Sequence, residues 1–256
     1  MKLFYRIFGT GKPLVILHGL FGSSDNWQTF AKSISDYFQV ITIDIRNHGN
    51  SPHANDLNFN LIDEDLIETL NEIGLQQYHL MGHSMGGKAA AYHALHHPDR
   101  VEKLIVIDIA PRAYAPHHTT YFSVMRGLDF DQITNRIQAD TQMQQEIPEV
   151  VIRQFLLKNL VRDDAGRFKW KFNLEAIYQH YDEVNGELRS DHSFTHPVLF
   201  IKGEYSDYIN SKDEGMIHDL FPFAVLETIP EAGHWVHSDQ PGKLKERILL
   251  FLLPTN

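Results

Sequence analysis

The chain has no cysteine, so neither disulfides nor thiolate metal sites are available to it. No apolar run approaches the roughly 18 residues of a transmembrane helix. The first residues, Met1-Lys2-Leu3-Phe4-Tyr5-Arg6, lack the apolar stretch and small-residue cleavage site of a secretory signal, so a cytoplasmic location is expected. Positive charge is also scarce: 23 Lys and Arg against 33 Asp and Glu give a formal charge of -10. That balance argues against a protein that grips a phosphate backbone, and no nucleic-acid partner is expected. There is no internal repeat and no low-complexity segment. At 256 residues, 43% hydrophobic and 22% charged, the chain can bury a sizeable core as one large domain or a domain with an insertion.

Strand-like and helix-like segments alternate through most of the chain. Leu3 to Phe8 reads as a first strand, closed by the breakers Gly9 to Pro13. Leu14-Val15-Ile16-Leu17, Val40 to Asp44, the run before Gly82, Leu104 to Ile107, Pro197 to Ile201 and Val225 to Ile229 are apolar in the manner of strands covered on both faces. Between them, Trp27, Phe30, Ala31 and Ile34 lie at helical spacing behind a cap at Ser24 or Asp25. Ile62, Leu66, Leu70 and Ile73 form another stripe, with Asp63, Glu64 and Asp65 expected in its first turn. Lys88 to His97 stops at Pro98, and a last helix carries Leu244, Ile248, Phe251 and Leu252 behind Pro241. The pattern predicts an α/β fold with a mainly parallel central sheet flanked by helices. From Arg112 to about Thr195 the buried runs stop. Amphipathic segments around Tyr121 to Asp140, Pro148 to Leu160 and Leu174 to Tyr181 predict a helical cap, residues 112–195, inserted into a core of residues 1–111 and 196–256.

The chemistry centres on Gly82-His83-Ser84-Met85-Gly86-Gly87. It has the form G-x-S-x-G between a strand and a helix, the context in which a tight turn lifts a serine hydroxyl clear of the chain. Ser84 is the candidate nucleophile. His18-Gly19-Leu20-Phe21-Gly22 follows a central strand, and the N–H groups of Leu20 and Met85 are the candidate oxyanion donors. The His18 side chain is assigned to packing, and Arg46-Asn47-His48-Gly49 to scaffolding. A serine needs a base, and the base a carboxylate to fix its tautomer. His234, in a Gly-His loop after the last strand, is that base, whereas nearby His237 reads as an exposed helix-start residue. The acid is Asp108, at the end of an earlier strand, or alternatively Asp207, after the penultimate one, where the usual Gly-x-x-Asp register falls on Ser206. His93, His96 and His97 read as solvated histidines, and Lys88, Arg112 and Lys158 as surface charges. Tyr121, Phe122, Met125, Phe155, Leu156 and Trp170 either line an acyl pocket or pack the cap.

Nearly the whole chain resembles the α/β-hydrolases. His18-Gly-Leu-Phe-Gly22, Arg46-Asn-His-Gly49, Gly82-His-Ser-Met-Gly-Gly-Lys88, Asp108-Ile-Ala-Pro111 and Gly233-His-Trp-Val-His237 together resemble the bacterial YbfF-type esterases more closely. The resemblance implies hydrolysis of small-molecule acyl esters, acyl-CoA thioesters included, with the acid from Asp108 and with Ser206 as a hydrogen-bonding member between Asp108 and His234. The chain departs from that family in following the serine with Asp207, which keeps the second acid in play. No cofactor and no metal are expected. A carbon–carbon bond hydrolase or acyltransferase uses the same machinery, and a non-catalytic ligand-binding protein is the rival of another class.

Overall fold

The apolar runs become strands whose backbone amides are satisfied by pairing with their neighbours in the sheet. The computed structural model describes residues 1–253. The chain begins with β1 (Tyr5–Phe8) and β2 (Lys12–Leu17), then a single 3-10 turn, Ser24–Trp27, that runs into α1 (Gln28–Ile34). β3 (Phe38–Ile43), α2 (Phe59–Glu72), β4 (Tyr78–His83), α3 (Met85–His96) and β5 (Val101–Ile107) follow. Next come α4 (Thr119–Gly127), α5 (Arg136–Met143), α6 (Val150–Leu157), β6 (Leu160–Arg162), β7 (Phe168–Trp170), α7 (Leu174–Gln179) and α8 (Tyr181–Asn185). β8 (Val198–Gly203), α9 (Glu214–Leu220), β9 (Ala224–Ile229), α10 (Val236–Asp239) and α11 (Pro241–Leu252) complete it.

Seven strands form one sheet in the order β1-β3-β2-β4-β5-β8-β9. Only β1 is antiparallel to its neighbour. The register aligns Leu17 with Gly82, His83 with Ile107, and Ile107 with Ile201, so the carboxyl ends of the central strands share one edge. Alternate side chains go to opposite faces. Val15, Leu17, Leu80, Val106 and Phe200 meet the apolar stripes of α2 and α3, while Leu14, Ile16, Met81, Ile105 and Leu199 meet those of α1 and α11. Adjacent strands β2 and β4 therefore send their helices to opposite faces, and the crevice between the two departing chains is where such sheets place ligands. Among the described residues no helix is long and apolar enough to cross a membrane.

Two local expectations change. The second helix begins at Phe59 behind an Asn58 cap that accepts the Leu61 N–H at 2.9 Å, a turn earlier than the acidic cluster suggested. Asp63 and Asp65 thus lie inside the helix and are buried, and Asp65 pairs with the Arg46 guanidinium at 2.6 Å. In the segment between β5 and β8, the stretch from Tyr121 to Asp140 is two helices rather than one. The hairpin of β6 and β7, pairing Leu160 with Trp170 and Arg162 with Phe168, was not anticipated. Its strands have three residues each, too few for a period-two signal. Its turn is set by the Asp163 carboxylate, which accepts the N–H groups of Ala165 at 3.0 Å and Arg167 at 2.8 Å.

Candidate active site

Between β4 and α3 the chain turns so sharply that Ser84 sits at φ 54°, ψ -125°. Such a backbone costs a non-glycine residue roughly 1–3 kcal/mol. Packing enforces it: the Ser84 N–H is tied to the Ile107 carbonyl at 2.9 Å and its carbonyl accepts the Lys88 N–H at 3.0 Å. The flanking glycines are obligatory for steric reasons. A Cβ on Gly82 would stand 2.1 Å from the Gly86 carbonyl oxygen, and one on Gly86 would stand 2.3 Å from that of His18. Met85 is the first helical residue, so its N–H has no acceptor within the helix. The Leu20 N–H across the crevice likewise has no partner among the described residues.

Asp108 is fully buried and also left-handed, at φ 53°, held by its N–H to the Ile201 carbonyl at 2.7 Å. One carboxylate oxygen accepts the Gly203 N–H at 3.0 Å. The other accepts the Ser206 hydroxyl and, at 2.7 Å, His234 Nδ1–H. That leaves His234 Nε2 as the free basic nitrogen, and the ring lines the same cleft as Ser84. Gly203 allows the histidine loop this approach, since a Cβ there would lie 2.2 Å from the Gly233 carbonyl oxygen. The structure thus brings Asp108, Ser206 and His234 together. Asp207 is exposed and its carboxylate makes no hydrogen bond among the described residues.

Sequence reasoning missed two supports of His234. The Tyr208 ring stacks on it, with centroids 3.9 Å apart and planes 18° apart, while the Tyr208 N–H reaches Ser206 Oγ at 3.3 Å. On the other side His83 donates Nε2–H to the His234 carbonyl at 2.8 Å. Burial, reinforced by the rings of His234 and His237, holds His83 neutral, well below the usual histidine pKa. Tyr208 carries no motif signal, because stacking across loops leaves no spacing in the sequence, and His83 falls at a position of the serine motif that the motif leaves free.

The cleft is narrow, a cavity of about 40 Å³. Leu20, Ser84 and His234 line it together with His118, Tyr121 and Phe155. Of the expected pocket residues, Tyr121, Phe155 and Leu156 line it, whereas Phe122, Met125 and Trp170 are buried in the hydrophobic cluster continuous with the sheet, Phe122 lying edge-on to Phe21 with centroids 5.2 Å apart. Trp170 donates its indole N–H to the Met125 carbonyl at 3.1 Å. The His18 side chain is structural, accepting the Ile45 N–H at 2.9 Å and donating to the Gly19 carbonyl at 2.8 Å.

Three other readings are corrected. His237 is not an exposed residue: it stacks on buried Trp27 with centroids 4.4 Å apart, and burial pushes its pKa down to about 3. Lys88 is not a surface charge. It is 2% exposed, and its ammonium donates to the carbonyls of Arg112, Asn185 and Gly186 at 2.8, 3.1 and 2.5 Å, fastening both ends of the inserted segment to the helix after Ser84. His93 is not solvated but fully buried, bonded to Asp63 and Tyr78, and with His97 it is grouped around Asp63 in an arrangement able to hold a cation.

The family described as alpha/beta hydrolase fold matches residues 12–241. The zebrafish (Danio rerio) protein named sn-1-specific diacylglycerol lipase ABHD11 is 39% identical, covering 99% of this chain and 83% of that protein. Esterase YbfF of Escherichia coli is 34% identical, covering 94% of this chain and 92% of its own length. A solved structure of a marine microorganism esterase superposes with a TM-score of 0.96 at 43% identity, over 98% of this chain and 99% of that one.

Proposed function

The chain belongs to the α/β hydrolase fold family, and on that premise we propose that it hydrolyses acyl esters through an acyl-enzyme formed on Ser84. The observation that carries the reading is a strained serine sharing a cleft with an imidazole whose Nδ1–H is fixed by the buried Asp108 carboxylate at 2.7 Å. That bond sets the tautomer, so His234 Nε2 offers its lone pair to the serine proton. Ser84 Oγ attacks the acyl carbonyl as Nε2 takes that proton, and the oxyanion is met by the N–H groups of Leu20 and Met85. Each such donor contributes about 2.7–4 kcal/mol to the transition state. The tetrahedral adduct collapses as Nε2 protonates the departing alkoxide. Water then attacks the acyl-serine, giving its proton to Nε2, and the acid leaves as that proton returns to Ser84 Oγ. The Asp108 carboxylate stabilises the imidazolium throughout, with Ser206 holding the carboxylate in place.

Residues 112–195 serve in this reading as a cap on the core of residues 1–111 and 196–256. Support comes from His118, Tyr121 and Phe155, which line the same cleft as Ser84. A second groove shares Asn26, Phe155, Trp235 and His237 with the cleft and runs past Phe30, Val150 and Val151, giving an acyl chain an apolar path. Glycerol esters are therefore substrates to test beside simple ones, given relatives named for diacylglycerol. Thioesters fall within the proposal because the same attack applies to them. The test is turnover of p-nitrophenyl esters, diacylglycerols and acyl-CoAs of graded chain length by wild type and Ser84→Ala. Loss of about 10⁴-fold or more in kcat is expected for the variant; hydrolysis at the wild-type rate would refute the nucleophile.

A further inference from the structure

Five carboxylates of the described residues are buried, and four of them are balanced by conventional partners. Asp65 has the Arg46 guanidinium, Asp213 the Arg112 guanidinium, Asp44 the N–H groups of Ser24 and Asn50, and Asp108 the Gly203 N–H with Ser206 and His234. Asp63 differs. Its hydrogen-bond partners are two imidazoles, His93 Nδ1 at 2.5 Å and His97 Nε2 at 2.9 Å. His93 is wholly buried. A buried carboxylate facing two imidazoles is the donor set of a borderline-soft divalent metal.

We propose that Asp63, His93 and His97 form a three-ligand site for a divalent transition metal, zinc in the first instance, bridging α2 to the end of α3. One donor atom from each residue lies within 4.8 Å of the others. Tetrahedral zinc at about 2.0–2.1 Å from its ligands needs donors about 3.3 Å apart, so the Asp63 contacts at 2.5 and 2.9 Å would open slightly as the ion takes the place of the two shared protons. Tyr78 completes the arrangement. Its hydroxyl now donates to His93 Nε2 at 2.5 Å. When the metal takes Nδ1, the His93 proton moves to Nε2 and donates to the Tyr78 oxygen, the outer-sphere bond that fixes a ligating histidine. His97 exchanges tautomer in the same way, its proton moving from Nε2 to Nδ1. The His97 side chain is 30% exposed, which provides an entry path and room for a water as fourth ligand. Opposing the cation is the Arg100 guanidinium, 5.7 Å from the Tyr78 ring centre, so affinity is set below that of a closed structural site. His93 lies nine residues beyond Ser84 on the same helix, about 14 Å along its axis. The metal would therefore brace the fold and take no part in acyl transfer.

The test is calorimetric titration of the chelator-treated protein with zinc, with Co²⁺ absorption as a second readout of the donor set. One Zn²⁺ per chain is expected, with the Co²⁺ spectrum of a low-coordinate nitrogen and oxygen site. His97→Gln, which alters a partly exposed residue and so leaves the fold intact, should weaken binding about a hundredfold, and Tyr78→Phe about tenfold. Wild-type affinity in His97→Gln would place any bound zinc elsewhere and overturn the proposal, as would the absence of one-to-one binding to the wild type.

Discussion

Asp108 with His234 and Asp63 with His93 are the same pair of groups in the same orientation, a buried carboxylate accepting from an imidazole Nδ1 at 2.7 and 2.5 Å. What surrounds the second nitrogen separates them. His93 Nε2 is occupied by the Tyr78 hydroxyl, and the ring is enclosed between α2 and α3. His234 Nε2 has no partner among the described residues, and its ring lines a cleft opposite a serine held in a strained turn. Their settings differ as well. His93 sits in the last turn of α3, its carbonyl taken by the His97 N–H at 2.8 Å, whereas His234 rides on a loop that needs Tyr208 stacking, the His83 hydrogen bond and the notch at Gly203 to stay put. An imidazole–carboxylate pair is thus not itself a catalytic signature. In the proposed mechanism, a free Nε2 in the same cleft as Ser84 is the feature that makes it one.

The widest separation of the two pairs should come from His234→Ala, expected to lower kcat by about 10⁴- to 10⁶-fold, against His93→Gln, expected to keep kcat/KM within about threefold. Comparable losses in both would break the comparison. Next is Asp108→Asn, expected to cost about 10⁴-fold through the wrong imidazole tautomer, while Asp207→Asn stays within about twofold in the same steady-state assay. The reverse ranking would transfer the acid to Asp207. On the other side, Asp63→Asn should leave turnover nearly untouched but reduce stability by about 1–3 kcal/mol in urea unfolding, the cost of disturbing a buried hydrogen-bonded group. Tyr208, stacked on the His234 ring, is proposed as a positioning residue. Tyr208→Leu should lower kcat about five- to tenfold with KM little changed, and Tyr208→Phe should restore it; a wild-type kcat in Tyr208→Leu would reduce the ring to packing.

The smallest effect concerns acid stability. Burial pushes His48 and His118 down to about 3 and His79 down to about 4, against an ordinary value of 6.5 in the unfolded chain. Between those limits the unfolded state binds more protons, so stability is full above pH 6.5 and is lost as pH falls toward 4. Each such histidine contributes about 1 kcal/mol to that loss by about pH 5.5. Urea midpoints should fall from pH 7 to 5.5, with a shallower fall in His48→Gln; a flat profile would mean these rings are protonated when folded.

The sheet and the serine turn are legible from sequence because they depend on contiguous patterns: apolar runs such as Leu14 to Leu17, and the steric demand for glycine at Gly82 and Gly86. Asp108 and Ser206 needed more, since they meet across 98 positions of chain and no local rule encodes that meeting. His93 and Lys88 were misread for a related reason. A charged or titratable residue on a helix looks solvated until its partner is known, and those partners, Asp63 and three carbonyls of the inserted segment, lie on other elements. The β6–β7 hairpin escaped because its strands are too short to show a period.

The most direct measurement is rapid quenching of the enzyme with a p-nitrophenyl ester, followed by peptide mass spectrometry. An acyl adduct on the Ser84 peptide, formed at a rate no slower than turnover and lost in Ser84→Ala, is the expected result. Turnover with the acyl group on another residue, or with no adduct on Ser84 under conditions where deacylation limits the rate, would contradict the account.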